Sequence, residues 1–150
     1  MTYFNKDSLT PSTAFSDKQQ QNLFLIEDNS WWFQYRATVI ISLMKQFFNP
    51  LKTTFDIGGG NGYTTSVAQK AGFQMALIEP SQQACQNALK RGIQRVTCGT
   101  IENVALDASL EQILLLDVLE HIEYDEDFVD KIYQKLQGGG GVPIDYSSCL

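Results

Sequence analysis

Apolar residues recur at helical spacing in the first third of the chain. This pattern predicts a helix that Ser30 caps and Asn49-Pro50 ends. Its apolar stripe consists of Trp32, Val39, Ile40, Leu43, Met44 and Phe47. A shorter helix through residues 19–26, capped by Ser16, is predicted to precede it.

From residue 53 onwards, short apolar runs alternate with amphipathic segments. The predicted strands are 53–57, 73–79, 94–98 and 112–117, and the predicted helices are 62–71, 81–91 and 124–137. Gly72 and Gly92 end the first two of these helices, and an irregular segment occupies 99–109. Strands separated by helices predict an α/β fold, in which helices cover both faces of a mostly parallel sheet.

The composition fits one domain with a sizeable core, since 43% of the 150 residues are hydrophobic and 11% are aromatic. A net charge of −6, with its densest acidic cluster at Asp125-Glu126-Asp127, argues against a nucleic-acid partner. The apolar runs are too short to span a bilayer, and residues 1–21 lack an apolar signal core. We therefore expect an unprocessed protein that acts on neither nucleic acid nor membrane.

The numbers and spacing of cysteine and histidine bear on disulfide bonds and metal sites. Cys85, Cys98 and Cys149 are widely spaced, and the chain has one histidine, so neither a disulfide framework nor a zinc site is indicated. We therefore predict no metal, and a reducing, cytoplasmic location.

The most specific segment joins the first predicted strand to the helix after it. It reads Asp56-x-Gly58-x-Gly60-x-Gly62, with Gly59 inside it and Tyr63 directly after it. Glycines let the backbone approach a ligand closely, and amides at the start of a helix face that ligand. The segment therefore predicts a cofactor-binding loop.

Several classes of ligand could in principle bind to such a loop. A dinucleotide needs Gly-x-Gly-x-x-Gly/Ala, but Tyr63 or Thr65 would fall at the third glycine position, where a side chain obstructs helix packing. A Walker-type phosphate site needs a lysine that the segment lacks. The carboxylate of Asp56 would repel a pyrophosphate and favours a ligand with an ammonium group and a sulfonium. A glycine turn without any ligand is the remaining alternative.

With this pattern the chain resembles the class I S-adenosylmethionine-dependent methyltransferases, where it surrounds the methionine part of the cofactor. The resemblance implies a Rossmann-like three-layer αβα sandwich. Glu79 ends the next strand, 19 positions beyond Gly60, where an acid can accept both ribose hydroxyls. NAD-binding folds place an acid there too, and an isolated helix-start charge is a further alternative, so Glu79 supports the cofactor only together with the loop.

The resemblance also assigns residues around the adenine. Ile78 and Pro80 would flank the ring, and the segment 99–102 occupies the region that contacts the adenine edge. Thr100 stands where the family commonly has an acid and leaves a hydroxyl to hydrogen-bond. The backbone of Ile101 is therefore expected to make this contact.

A further block follows the fourth strand of the sheet. The run from Asp117 and Val118 to Glu120-His121 resembles the signature of the type 11, 12 and 23 small-molecule methyltransferases. There Asp117 and Val118 would border the methionine part. His121 is a candidate catalytic base, with a packing or helix-capping histidine as the alternative. A magnesium site would need a second histidine.

An aromatic helix start lies upstream of the loop. Residues 28–36 resemble the segment that closes over the site in these enzymes, so that Trp32 would face the sulfonium and Arg36 would pair with the cofactor's carboxylate. A Trp-Trp-Phe cluster at helical spacing is also compatible with simple core packing.

These features predict a methyltransferase that uses S-adenosyl-L-methionine and transfers the methyl group to a small-molecule acceptor by in-line displacement. The alternatives are a non-catalytic cofactor-binding remnant or partner subunit and, more distantly, an NAD-binding oxidoreductase domain. We divide the chain into a polar segment and helix, 1–27, and the cofactor-binding domain, 28–150.

The C-terminal region departs from the family. Only residues 142–146 are left for a fifth strand, and Pro143 cannot donate to a sheet ladder, so the closing C-terminal strands are expected to be missing. An open sheet edge and an uncovered helix face favour self-association, so a homo-oligomer is expected.

Overall fold

The computed structural model describes residues 16–101, 110–136 and 144–145. Five strands lie in chain order as β1 Thr53–Ile57, β2 Gln74–Glu79, β3 Val96–Cys98, β4 Gln112–Leu115 and β5 Ile144–Asp145. Five α-helices accompany them in these ranges: α1 Asp17–Glu27, α2 Trp31–Phe47, α3 Tyr63–Lys70, α4 Gln82–Lys90 and α5 Asp125–Lys135. A short 3₁₀ turn spans Leu119–His121.

The strands form one sheet in the order β3-β2-β1-β4-β5, and every pairing is parallel. Central strand β1 is buried along its whole length, as expected for a parallel sheet covered on both faces. Ile57 pairs with Ile78 of β2 and with Leu115 of β4, so the carboxyl ends of these three strands meet at one edge. A ligand is expected at such an edge, where the order of strands reverses.

Buried hydrophobic residues form clusters on both faces of the sheet. On one face, Ile40 and Met44 of α2 pack with Met75 and Leu114 of the sheet. On the other face, Phe128 and Ile132 of α5 pack in a cluster with the alternate strand residues Phe55, Ile57, Ala76, Ile78, Ile113 and Leu115. The α/β sandwich with a parallel sheet confirms the predicted fold class.

The predicted helix starts were largely correct. Ser16 caps α1 in a full capping box, in which its hydroxyl accepts from the Gln19 amide and the Gln19 side chain accepts from the Ser16 amide. Ser30 stands at the N-cap position of α2 but makes no side-chain cap hydrogen bond. No helix in the described ranges is long and apolar enough to cross a bilayer.

The chain after β4 differs from the prediction. The strand ends at Leu115, two residues early, and Asp117 adopts a left-handed backbone with φ +54° that a strand cannot continue. The 3₁₀ turn after it was not predicted. Residues 102–109 of the predicted irregular segment 99–109 lie outside the described residues, as does Gln137 at the end of the last predicted helix. The same holds for 142, 143 and 146 of the predicted fifth strand.

Candidate functional site

Two adjoining cavities open at the carboxyl ends of β1, β2 and β4. The larger, of about 300 Å³, has polar and charged residues in its wall. These are Gln20, Glu27, Arg36, Asp56, Asn61, Glu79, Asp117 and His121. The narrower one is an apolar slot bounded by Ile57, Ile78, Pro80, Ile101, Ile122 and Phe128. Gly58, Asp117 and His121 border both, so the two form one elongated site.

The structure brings most of the predicted site residues to this elongated site. The larger cavity is lined by Arg36, Asp56, Gly58, Gly59, Gly60, Tyr63, Glu79, Asp117 and His121. The slot is lined by Gly58, Pro80, Thr100, Ile101, Asp117, Val118 and His121. Trp32 and Gly62 line neither cavity.

The glycines of the loop serve different purposes. Gly60 has φ +56°, and a Cβ there would meet no atom within 4 Å, so its surface is open toward the larger cavity. Gly62 has φ +75°, and a Cβ there would collide with the Ile93 side chain and lie 3.0 Å from Cβ of Ala88. Gly62 is therefore required for packing against α4 and its following loop, whereas Gly60 leaves room for a ligand.

Asp56 is a buried carboxylate with incomplete hydrogen bonding. Its Oδ2 accepts from the Thr65 hydroxyl at 2.5 Å, while its Oδ1 has no partner. Burial raises the pKa of Asp56 from 3.8 to about 6, although the Thr65 hydrogen bond and the Arg36 charge act in the opposite direction. An unsatisfied buried carboxylate oxygen is costly, and a cationic ligand in the adjoining cavity would reduce that cost.

Glu79 holds the loop as well as lining the cavity. Its Oε2 accepts from the Gly60 amide at 3.0 Å and its Oε1 from the Ser81 amide at 2.8 Å. Burial raises the pKa of Glu79, and these two backbone hydrogen bonds lower it. Each carboxylate oxygen has a second lone pair, so both can still accept from ribose hydroxyls.

Arg36 and Asp117 form an ion pair inside the site. Arg36 Nη2 lies 2.5 Å from Asp117 Oδ2, across 81 positions of sequence. The arginine side chain is 13% exposed and the aspartate side chain 51%. Arg36 therefore reaches the predicted place, and in this structure its partner is Asp117.

The aromatic side chain that α2 contributes to the larger cavity is not the one that the sequence predicted. Trp32 lies outside the cavities, is 40% exposed and contacts Trp31 edge to face. Phe33 lines the larger cavity and meets the Tyr63 ring at 6.0 Å between centroids and 71° between planes. Trp32 and Phe33 lie four and three positions before Arg36 on α2, so both share its helix face, and helix phase alone does not choose between them.

His121 follows the fourth strand at the junction of the two cavities. Its Nδ1 is buried without a hydrogen-bond partner, and its Nε2 lies 3.8 Å from Glu120 Oε1. The imidazole could bind or accept a proton at this junction once a reacting group is within reach.

Helix α1 forms a wall that the sequence did not indicate. Gln20, Leu23 and Glu27 of this helix line the larger cavity. The Ser16 cap predicted the helix, but nothing in its sequence indicated that it lies beside the glycine loop. Across the described ranges 16–101, 110–136 and 144–145, no three His, Cys, Asp or Glu side chains are grouped to hold a metal ion.

The chain was compared with protein-family models, curated protein sequences and solved structures. Residues 55–143 match the family model described as a methyltransferase domain. No curated protein sequence matches the chain. Among solved structures, a Methanococcus maripaludis protein suggested to be an S-adenosyl-L-methionine-dependent methyltransferase superposes with a TM-score of 0.74 at 19% identity, over 91% of this chain and 64% of that one.

Two further solved structures match at lower TM-score. A Thermotoga maritima protein suggested to be a histamine N-methyltransferase has a TM-score of 0.60 at 23% identity, over 82% of this chain and 54% of that one. The glycopeptide N-methyltransferase MtfA, complexed with S-adenosyl-L-methionine, has a TM-score of 0.60 at 17% identity, over 69% of this chain and 51% of that one. The chain thus spans about half the length of these two structures.

Proposed function

The chain belongs to the methyltransferase domain family, and from that premise we propose that it binds S-adenosyl-L-methionine and transfers the methyl group to a small-molecule acceptor. The observation that carries the proposal is the pairing of a buried, incompletely hydrogen-bonded Asp56 with a loop left open at Gly60. A carboxylate there favours a cationic ligand over a pyrophosphate.

The residues of the elongated site fit the parts of this cofactor in order. Glu79 is proposed to accept the ribose hydroxyls, and Pro80, Thr100 and Ile101 to border the adenine in the apolar slot. The remaining residues would surround the methionine part; they are Arg36, Asp56, Gly58, Gly59, Gly60, Tyr63, Asp117 and Val118. Trp32 and Gly62 would act indirectly, through the aromatic helix start and the packing of α4.

Catalysis in such a site rests on orientation. The bound cofactor supplies a methyl group activated by a sulfonium. The protein holds the acceptor in line with that group and keeps water out, and proximity of this kind contributes roughly 7–11 kcal/mol. His121 is a candidate base at the cavity junction for an acceptor that must lose a proton, such as a hydroxyl or an ammonium group.

The larger cavity supports a small acceptor. About 300 Å³ is at the lower end of the volumes of ligand sites, and part of it would hold the methionine group. The group that enters the cavity must therefore be small, and we propose a small-molecule acceptor because residues 117–121 resemble the signature of the type 11, 12 and 23 small-molecule methyltransferases. A cytoplasmic location is proposed from Cys85 and Cys98, which are both free thiols.

A second candidate is a cofactor-binding partner subunit without its own activity. The observation behind it is a structural neighbour of 17% identity, a protein suggested to be a methyltransferase, in complex with the Haloferax volcanii methyltransferase activator Trm112. Binding of S-adenosylhomocysteine without turnover across acceptors would favour this candidate.

Calorimetric titration tests the cofactor assignment. The protein is titrated separately with S-adenosylhomocysteine, NAD⁺ and NADP⁺. We expect saturable binding of the first and none of the other two, because the loop offers a carboxylate and no lysine to a pyrophosphate. Binding of NAD⁺ in preference to S-adenosylhomocysteine would overturn the proposal.

A further inference from the structure

Helix α1 is attached to the domain in an unusual way. Its buried residues are Gln20 and Glu27, both polar, whereas Leu25 and Ile26 are 64% and 56% exposed. A helix normally docks through an apolar stripe. Polar contacts therefore add to the packing of the half-buried Leu23 and Phe24 in holding α1 against the cavity that it helps to close.

Those contacts converge on the tip of the glycine loop. Asn61 is 3% exposed, and its Nδ2 donates to the Gln20 carbonyl at 3.2 Å and to Glu27 Oε1 at 3.3 Å. Its Oδ1 accepts from Asn87 Nδ2 of α4 at 2.9 Å. One side chain of the loop thus joins α1 to α4.

Arg91, at the end of α4, completes the connection. Its Nε donates to the Asn61 carbonyl at 3.1 Å, its Nη2 to Glu27 Oε2 at 2.8 Å, and its Nη1 to Asp28 Oδ1 at 2.5 Å. The guanidinium carbon also lies 4.5 Å from the Phe24 ring centroid. The Arg91 side chain is 6% exposed, and the residue lines neither cavity.

We propose that Arg91 is a positioning residue that clasps α1 over the cofactor loop through Glu27 and Asn61, and so sets how fast the cofactor leaves. The inference rests on the proposed function for the identity of the ligand. The guanidinium suits this task because its planar donors reach the loop carbonyl and two carboxylates of the α1 end at once, which a lysine cannot do.

Hydrogen exchange of the ligand-free protein tests the clasp without any cofactor. In Arg91→Met we expect the amides of α1 to exchange at least about tenfold faster, while those of β1 and β4 keep their wild-type protection. Arg91→Lys should give an intermediate increase. Glu27→Gln, which keeps the side-chain shape and removes the charge, should change α1 in the same direction.

Stopped-flow dissociation of S-adenosylhomocysteine tests the consequence. Arg91→Met should raise the dissociation rate by roughly tenfold, with a smaller change in the association rate. Arg95→Met is the matched control, because Arg95 contacts Thr53 and the Phe55 ring and, among the described residues, forms no hydrogen bond or ion pair with α1. It should leave both rates unchanged.

The outcomes separate this inference from the proposed function. Wild-type α1 protection in Arg91→Met, or equal loss of protection in α1 and the sheet, would overturn the clasp. An unchanged dissociation rate despite a freed α1 would overturn its role in cofactor release. A wild-type protein that binds no S-adenosylhomocysteine while Arg91→Met frees α1 would contradict the proposed function and leave the mechanical part of the clasp supported.

Discussion

At the scale of single residues, Asp56 is a buried carboxylate whose cost to stability in the ligand-free protein is linked to its proposed role in binding. A carboxyl group with pKa about 6 in the folded state and 3.8 ordinarily binds its proton more tightly when folded. The free energy of unfolding therefore falls as the pH rises from about 4 to about 6, by on the order of 3 kcal/mol in total. The charged form is also the one that attracts a cation.

Asp56→Asn should consequently separate stability from binding. We expect the variant to be more stable than the wild type by about 1–2 kcal/mol at pH 8, since the new amide must still bury an N–H, and to lose most of that advantage at pH 4. Its affinity for S-adenosylhomocysteine should fall by on the order of 2 kcal/mol. Urea unfolding at both pH values and calorimetry check this; a variant that binds as tightly as the wild type would refute the role of Asp56.

Glu79 accepts a hydrogen bond from the Gly60 amide and is also proposed to bind the ribose, so its removal should weaken cofactor binding. Glu79→Ala should weaken binding of S-adenosylhomocysteine by on the order of 2 kcal/mol, because charge-assisted hydrogen bonds to the ribose are lost. Glu79→Gln should lose less, since one oxygen remains to accept. Ser81→Ala is the control: it removes the cap bond to the Ala84 amide and should cost about 1 kcal/mol of stability at unchanged affinity. Unchanged calorimetric affinity in Glu79→Ala would count against the ribose contact.

At the scale of elements, the glycine loop combines folding and binding requirements in neighbouring positions. Gly60→Ala should cost only about 1–2 kcal/mol of stability, the strain of φ +56°, but should weaken the binding of S-adenosylhomocysteine by roughly tenfold, because its methyl group enters the cradle. Gly62→Ala should destabilise more, on the order of 3 kcal/mol, since it adds a clash with Ile93.

Gly72→Ala serves as the control for both variants. Gly72 has φ +99°, lies in open space and lines neither cavity, so its substitution should strain the backbone without affecting the ligand. Urea unfolding measures the stability of the three variants, and calorimetry measures their affinity for S-adenosylhomocysteine. If Gly60→Ala and Gly72→Ala bind S-adenosylhomocysteine equally well, the open face of Gly60 is not part of the site.

The elements of the sheet were predictable because strand and helix periods are local. β1 was predicted with its observed bounds, and the carboxyl ends of parallel strands necessarily bring Gly58, Glu79 and Asp117 together. What could not be predicted is tertiary placement. The choice of Phe33 over Trp32, the packing role of Gly62 and the position of α1 depend on contacts between distant segments, such as Arg91 with Glu27.

At the scale of the whole molecule, the surface bears on self-association. Trp31 and Leu51 are 73% and 80% exposed, and Tyr133 is 71% exposed. Large apolar side chains at the surface favour contact between copies. We expect a homo-oligomer, to be measured by light scattering over a range of concentrations; a clean monomer at the highest concentration would contradict this expectation.

The central claim is that the loop from Asp56 to Gly62 cradles S-adenosyl-L-methionine, and it is tested most directly by NMR titration of the ¹⁵N-labelled protein with S-adenosylhomocysteine. The account predicts saturable shifts of the Gly58, Gly60 and Ile101 amides, with Gly72 and Gly92 unchanged. An absence of saturable shifts in the loop, or the same shifts on titration with NAD⁺, would contradict it.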